Sequence, residues 1–256
     1  LAQEPAEVDR ALESAQPCDD FRTATARDGA AVAAFEPLWL PFDHPLWVVY
    51  SSGTTGLPKA IVHGHGGIVL ELLKGGALHN DIHPSALTGE RFHWFSSTGW
   101  IMWNAQVGAL LGGTTICLYD GNPAGPAQAH DWGTLWRFVG AAGVTWFGAG
   151  AAYFASCMKA HVEPMQAADL SRLRAIGSTG SPLADEAYQW IWDHCPKVDG
   201  HDIWLNPISG GTDFAGAFVA GNRALPVVQG EMQCRCLGAA VEAWSEDGRP
   251  LMNEVG

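Results

Sequence analysis

What most narrows the fold of this chain is a series of short apolar runs set between longer stretches of helical periodicity. The runs are Leu46 to Tyr50, Thr114 to Tyr119, Val144 to Phe147, Leu173 to Ile176 and Ile203 to Ile208. Among them fall Ile68 to His79, Trp132 to Ala142, Ala151 to His161 and Pro182 to Cys195, each with helical spacing of its apolar residues. A strand that is apolar throughout needs cover on both faces, and a helix between two such strands returns the chain so that they run parallel. The expected class is α/β, a largely parallel sheet flanked by helices. From Glu231 to Trp244 the pattern changes: Met232, Cys234 and Cys236 alternate with Gln233 and Arg235, and Ser245-Glu246-Asp247-Gly248 reads as a turn. That predicts an antiparallel β addition at the C-terminal end.

Residues 1 to about 36 are Ala-rich and acidic with no strand pattern, and Pro37, Pro41 and Pro45 punctuate the approach to the first run. The expected organisation is therefore a linker over 1–41, an α/β unit over 42–225 and the start of a β-rich unit over 226–256. Two long uncharged stretches, 92–119 and 138–158, are broken by Gly, Ser, Thr, Asn and Gln and read as buried strand-turn-helix units rather than membrane spans. With 14 basic against 27 acidic residues the net charge is −13. Nucleic acid and anionic membrane are thereby disfavoured as main partners, because both are held by neutralising phosphates. Cysteines at 18, 117, 157, 195, 234 and 236 form no C-x-x-C pair, and they read as reduced core residues of a cytoplasmic protein. The start, Leu1-Ala2-Gln3-Glu4-Pro5, has no initiating Met, basic region or apolar signal core, so no export signal is expected.

Three segments carry chemistry. Tyr50-Ser51-Ser52-Gly53-Thr54-Thr55-Gly56-Leu57-Pro58-Lys59 directly follows a strand. Its hydroxyls, two glycines and lysine suit a phosphate cradle, since Gly lets the backbone approach and Lys supplies charge. The same residue types also suit a polar surface turn. It is not a Walker loop, because Pro58 precedes Lys59 and Ala60 follows it. Ile208-Ser209-Gly210-Gly211-Thr212-Asp213 follows another strand, where a hydroxyl and then a carboxylate suit a phosphate and its Mg²⁺, or simply an Asx-type turn. Gly177-Ser178-Thr179-Gly180-Ser181-Pro182-Leu183 lies between a strand and a helix expected to begin at Pro182 with free amides. Gly148-Ala149-Gly150 begins like a dinucleotide fingerprint, but Tyr153 stands where its third Gly belongs. His63-Gly64-His65 is read as structural hydrogen bonding at a strand-to-helix junction rather than as a metal site.

The order of the first loop resembles the phosphate-binding loop of the adenylate-forming enzymes, the superfamily of acyl-CoA synthetases, luciferases and peptide-synthetase adenylation domains. His44-Pro45-Leu46-Trp47, Ala60-Ile61-Val62-His63-Gly64-His65-Gly66-Gly67 and Ser97-Thr98-Gly99-Trp100-Ile101-Met102-Trp103-Asn104 resemble its acetoacetyl-CoA synthetase branch. Nearly all of 42–256 can be aligned in this way. The resemblance implies the second subdomain of the adenylate-forming N-terminal domain, with ATP, Mg²⁺, CoA and acetoacetate as small-molecule partners. It places Ser51, Ser52, Gly53, Thr54, Thr55, Gly56 and Lys59 on the leaving phosphates, Thr212 on the α-phosphate and Asp213 on the metal. Lys59, Thr212 and Asp213 form the implied catalytic set. Gly180, Ser181, Pro182, Ser209, Gly210 and Gly211, with Thr212, would hold adenine and AMP, and Trp100, Met102, Ser178, Thr179 and Gly210 the acyl group.

Two departures stand out: most relatives have Glu at Asp213 and a stacking aromatic at Ser209. Gly210 falls where acetyl-CoA synthetases carry a blocking Trp, which suggests room for a four-carbon keto acid. The implied reaction forms an acyl-adenylate and pyrophosphate, then passes the acyl group to CoA. Family members continue beyond the position of Gly256 and begin before Leu1, so the chain is expected to be an internal fragment that binds nucleotide weakly and turns over poorly. Another short-chain acyl-CoA synthetase, a non-catalytic nucleotide-binding module and a phosphohydrolase stay open as alternatives.

Overall fold

The structure is a computed structural model that describes residues 26, 29–51 and 58–254. The chain divides into two compact units, Leu1–Leu40 and Pro41–Gly256. Within the first, the described residues include the short helix Gly29–Ala33.

The second unit opens on two antiparallel strands, β1 (Pro45–Ser51) and β2 (Lys59–Gly64), and passes into helix α1 (His65–Lys74) with a wider π-helical turn at Gly75–His79. Five strands then share one sheet: β3 (Arg91–Trp94), β4 (Thr115–Ile116), β5 (Trp146–Gly150), β6 (Ala175–Thr179) and β7 (Trp204–Pro207). Helices α2 (Ile101–Gly108), α3 (Thr134–Ala141), α4 (Ala151–Lys159) and α5 (Asp185–His194) connect or cover them. The spatial order is β4-β3-β5-β6-β7, and every neighbouring pair is parallel, as the apolar runs predicted. Beyond β7 come β8 (Ser209–Gly211), β9 (Gly216–Ala220) and β10 (Cys234–Arg235), an antiparallel sheet ordered β10-β9-β8. A last antiparallel pair, β11 (Ala243–Trp244) and β12 (Pro250–Leu251), is closed by the predicted turn, in which Gly248 has φ +77° and its N–H donates to the Ser245 carbonyl at 2.9 Å.

The two faces of the parallel sheet sort by strand alternation. Phe147, Ile176 and Leu205 sit side by side in register and pack with Trp136 of α3, Phe154 of α4 and Ile191 of α5. Their neighbours Trp146, Ala175 and Trp204 turn the other way, where they join Phe92, Trp94 and Met102 of α2. Gly148 and Gly177 make this second face possible. A Cβ on Gly148 would lie 2.1 Å from the Trp94 ring, and one on Gly177 would lie 2.2 Å from the Trp146 ring. The two indoles therefore lie against bare backbone and stack at 5.6 Å.

Three sequence expectations are corrected. Leu46 to Tyr50 is not a strand of the parallel sheet: it is half of the β1–β2 hairpin, with Val48 and Tyr50 exposed. Thr114 to Tyr119 supplies only the two residues of β4. Helix α5 begins at Asp185 rather than Pro182, where Asp185 and Glu186 place negative charge on its first turn. The uncharged stretch 92–119 folds as strand, turn and helix, with Phe92 in β3 and α2 following. Among the described residues no helix is long and apolar enough to cross a membrane. Cys117, Cys157, Cys195 and Cys236 are buried and free and Cys234 is free and half-buried; Cys18 lies outside the described residues.

Candidate active site

In a parallel sheet, ligands bind beyond the carboxyl ends of the strands. Here β6 and β7 end side by side and their extensions are stitched together. The Ile208 N–H donates to the Ser178 carbonyl at 2.8 Å, and Thr179 Oγ1 donates to the Ile208 carbonyl at 2.7 Å. Above this seam opens a cavity of about 700 Å³, within the range that takes a cofactor or small-molecule ligand. Trp100 and Met102 line it from the start of α2, Ser178, Thr179, Gly180, Ser181 and Pro182 from the end of β6, and Ser209, Gly210, Gly211 and Thr212 from β8 and beyond. The 97–104, 177–183 and 208–213 segments thus meet in one space.

Other candidate residues stand apart. Ser51 ends β1 and Lys59 begins β2, on either side of the loop; Ser52, Gly53, Thr54, Thr55 and Gly56 lie outside the described residues. Asp213 is exposed next to Thr212 and is not one of the cavity walls. What joins it to the hairpin is His63. The Trp47 indole donates to His63 Nδ1 at 2.8 Å, and His63 Nε2 lies 2.9 Å from the Asp213 carbonyl oxygen. His65 Nδ1 lies 2.8 Å from the His44 carbonyl oxygen. Among the described residues no cluster of three or more His, Cys, Asp or Glu is placed to hold a metal. His63 and His65 thus each place a ring nitrogen within hydrogen-bond distance of a backbone carbonyl oxygen at the strand-to-helix junction.

Two expected roles change on inspection. Ser178 is only 2% exposed and its hydroxyl has no partner, so it contributes an edge of the cavity and not an open polar wall. Gly210 does not leave a hole: a Cβ there would lie 2.1 Å from the Gly216 carbonyl oxygen and 2.9 Å from the Ala217 Cα. Its missing side chain is replaced by the backbone of β9, not by room for substrate.

Several walls were not legible as site residues. Glu71 and Lys74, an ion pair on α1 with both carboxylate oxygens 2.7 Å from the ammonium, face the cavity, and Lys74 also donates to the Leu237 carbonyl at 2.9 Å. Their spacing along a helix gives the only sequence signal, and it is common to many surface helices. His79, at the end of the π-helical turn, accepts the Leu237 N–H on Nε2 at 3.0 Å, and its Nδ1 is 3.0 Å from the Gly221 carbonyl oxygen. Asn206 of β7 donates to the His79 carbonyl at 3.0 Å. Tyr188 and Cys236 also line the cavity. Burial pushes the phenol up to about 12 and the thiol up to about 11. Both stay protonated at neutral pH, so neither is an activated nucleophile.

Residues 2–204 match the family described as AMP-binding enzyme. The chain belongs to that family. Among AMP-binding enzymes, it is 38% identical over 238 residues to acetoacetyl-CoA synthetase of Gallus gallus, covering 93% of this chain and 34% of that one. It is 41% identical over 217 residues to acetoacetyl-coenzyme A synthetase of Rhizobium meliloti, covering 85% and 32%. The solved acetoacetyl-CoA synthetase from Streptomyces lividans superposes with a TM-score of 0.79 at 45% identity, over 95% of this chain and 36% of that one. The chain thus spans about a third of the length of the relatives it matches.

Proposed function

We propose that the protein carrying this chain is an acid–thiol ligase that activates acetoacetate with ATP and transfers the acyl group to CoA, releasing AMP and pyrophosphate. The observation that carries this reading is the convergence of the Trp100, Gly180–Pro182 and Ser209–Thr212 segments on one cavity, with the β1–β2 hairpin tied to the next residue, Asp213. The choice of carboxylate follows from the three relatives named above, not from pocket volume, since one methylene changes apolar binding by only about 1–3 kcal/mol.

The chemistry asks little covalent work of the protein. A carboxylate must approach the α-phosphorus of ATP, and two anions have to be held together at the right angle. Thr212, at the cavity wall, would donate to the α-phosphate. Lys59, at the root of the hairpin loop, would neutralise the departing pyrophosphate. Gly180, Ser181 and Pro182 would flank the adenine, and Trp100 and Met102 the acyl chain. Asp213 fits Mg²⁺: the residue is exposed, follows Thr212 in the chain, and its carboxylate takes no hydrogen bond or ion pair among the described residues. An ion that binds through one carboxylate, waters and substrate phosphates needs no larger cluster. When bound, Mg²⁺ would spread the charge of the phosphates. Ser209 cannot stack on adenine, so the base would be held by Gly180 to Pro182 and the neighbouring walls. A cytoplasmic setting and a place in lipid metabolism accompany this reading, supported by the free cysteines among the described residues and the kinship with acyl-CoA ligases.

The test is a panel of carboxylic acids on the full-length protein, scored by acid-dependent pyrophosphate exchange. Acetoacetate should be preferred, and Lys59→Ala and Asp213→Ala should each lower the rate by at least about a hundredfold, as for loss of one electrostatic group at a reacting centre. Phosphate release without any carboxylic acid, or ATP binding that an acyl-adenylate analogue does not compete with, would overturn it.

A further inference from the structure

In the ligase reading Lys59, the first residue of β2, and the Thr212–Asp213 step serve one triphosphate, yet His63, on the same strand as Lys59, and Asp213 are 150 residues apart in sequence. We infer that His63 is a positioning residue that sets strand β2, and with it Lys59, against Asp213 for Mg·ATP, an inference resting on the ligase reading above.

The hydrogen-bond logic fixes the ring. An indole N–H can only donate, so His63 Nδ1, 2.8 Å from Trp47 Nε1, is an acceptor. The imidazole proton is then on Nε2, where it donates to the Asp213 carbonyl at 2.9 Å. A neutral imidazole has one donor and one acceptor, and both are used in a ring that is 8% exposed. Trp47 and His63 are register partners across β1 and β2. They brace the two strands that lead into and out of the loop. The third member of the chain is the peptide from which the Asp213 side chain departs. Indole, imidazole and carbonyl form a strut between the first and second motifs, and its length is set by two hydrogen bonds. The ring lines no part of the cavity, so His63 acts through the two elements it holds.

Glutamine can copy the strut, accepting through Oε1 and donating through Nε2; leucine fills the space and does neither. The experiment uses the full-length protein as wild type, His63→Gln and His63→Leu, with Trp47→Phe as a milder break if the leucine variant fails to fold. Calorimetric titration should show Mg·ATP binding weakened about 10- to 100-fold in His63→Leu and within about threefold of wild type in His63→Gln. In pyrophosphate exchange the KM for ATP should rise in parallel, while the KM for acetoacetate moves less than about twofold. Long-range proton–nitrogen spectra of wild type should show Nδ1 bare and Nε2 protonated.

A purely structural histidine would lower thermal stability and leave the KM for ATP unmoved, and that result overturns the inference. So does a glutamine variant as weak as the leucine one, or the opposite tautomer. Failure of the wild type to exchange pyrophosphate with any acid sinks the ligase reading instead, and the Mg·ATP titration still decides the role of His63.

Discussion

The Cα of Gly210 faces the carbonyl oxygen of Gly216 so closely that a side chain at 210 would begin 2.1 Å from it. Strands β8 and β9 are in contact at that point, with Gly210 paired to Ala217 and Gly211 to Gly216. The contact is backbone against backbone, which cannot step aside as a flexible side chain would. Gly210→Ala should therefore destabilise the protein by about 1–3 kcal/mol, the usual range for overpacking, visible as a lower urea midpoint. An unchanged midpoint accompanied by a narrower range of acids would instead return Gly210 to the role of pocket floor.

Arg174, just before β6, gathers two carboxylates. Its Nε is 3.1 Å from Glu90 Oε2 and its Nη1 is 3.1 Å from Asp81 Oδ2; the Glu90 side chain is 1% exposed and is also bonded by the Thr145 hydroxyl. Removing the guanidinium leaves a buried carboxylate without its counter-charge. Arg174→Met should cost about 3 kcal/mol in denaturant unfolding, and adding Glu90→Gln to it should restore part of that loss. Additive single and double variants would show that the pair is not coupled.

His93 on β3 gives the fold a pH dependence. It is buried between Phe138 and Phe147, and its Nδ1 is 2.8 Å from the Cys117 carbonyl oxygen. Burial pushes the imidazole from its ordinary 6.5 down to about 4. The folded state therefore keeps the ring neutral while the unfolded chain takes up a proton below pH 6.5. Stability from this group is complete above that value, declines as pH falls towards about 4, and levels below it. The full span is worth about 3 kcal/mol. Unfolding free energies at pH 7.5 and 4.5 should differ by about 2 kcal/mol less in His93→Phe than in wild type. Equal differences in the two proteins would remove His93 from the account.

Thr179 spends its hydroxyl proton on the Ile208 carbonyl, pinning the end of β6 to the start of β8. Valine has the same shape without that bond. Thr179→Val should cost about 1 kcal/mol in stability and lower kcat/KM by roughly tenfold, as Thr212 is displaced along with β8. A variant with normal kinetics and only a lower melting point would confine the bond to the scaffold.

The parallel sheet could be read from the sequence because strands β5, β6 and β7 are buried on both faces, which makes their runs mostly apolar, with Ser178 and Asn206 the buried polar exceptions. Leu46 to Tyr50 misled for the same reason. It is as apolar as a central strand, but its hairpin leaves Val48 and Tyr50 exposed, and composition does not report which face of a run is covered. The start of α5 was misplaced because Pro182 is a good first helical residue as well as a good extended one. At the site, hydroxyl and glycine motifs announced themselves through unusual local order. Glu71, Lys74 and His79 did not, because their presence at the cavity depends on where α1 packs and not on any local pattern.

The widened turn that ends α1 has a mechanical corollary. It swings His79 outward to clasp both the Gly221 carbonyl and the Leu237 amide, while Asn206 grips the same turn from β7. Lifting the β8–β10 layer would strand both ring nitrogens of His79 in a poorly hydrated interior. That bank of the cavity is moored, whereas Ser97 to Gly99, which lead into α2, lie open to water and Trp100 starts the helix without a side-chain cap.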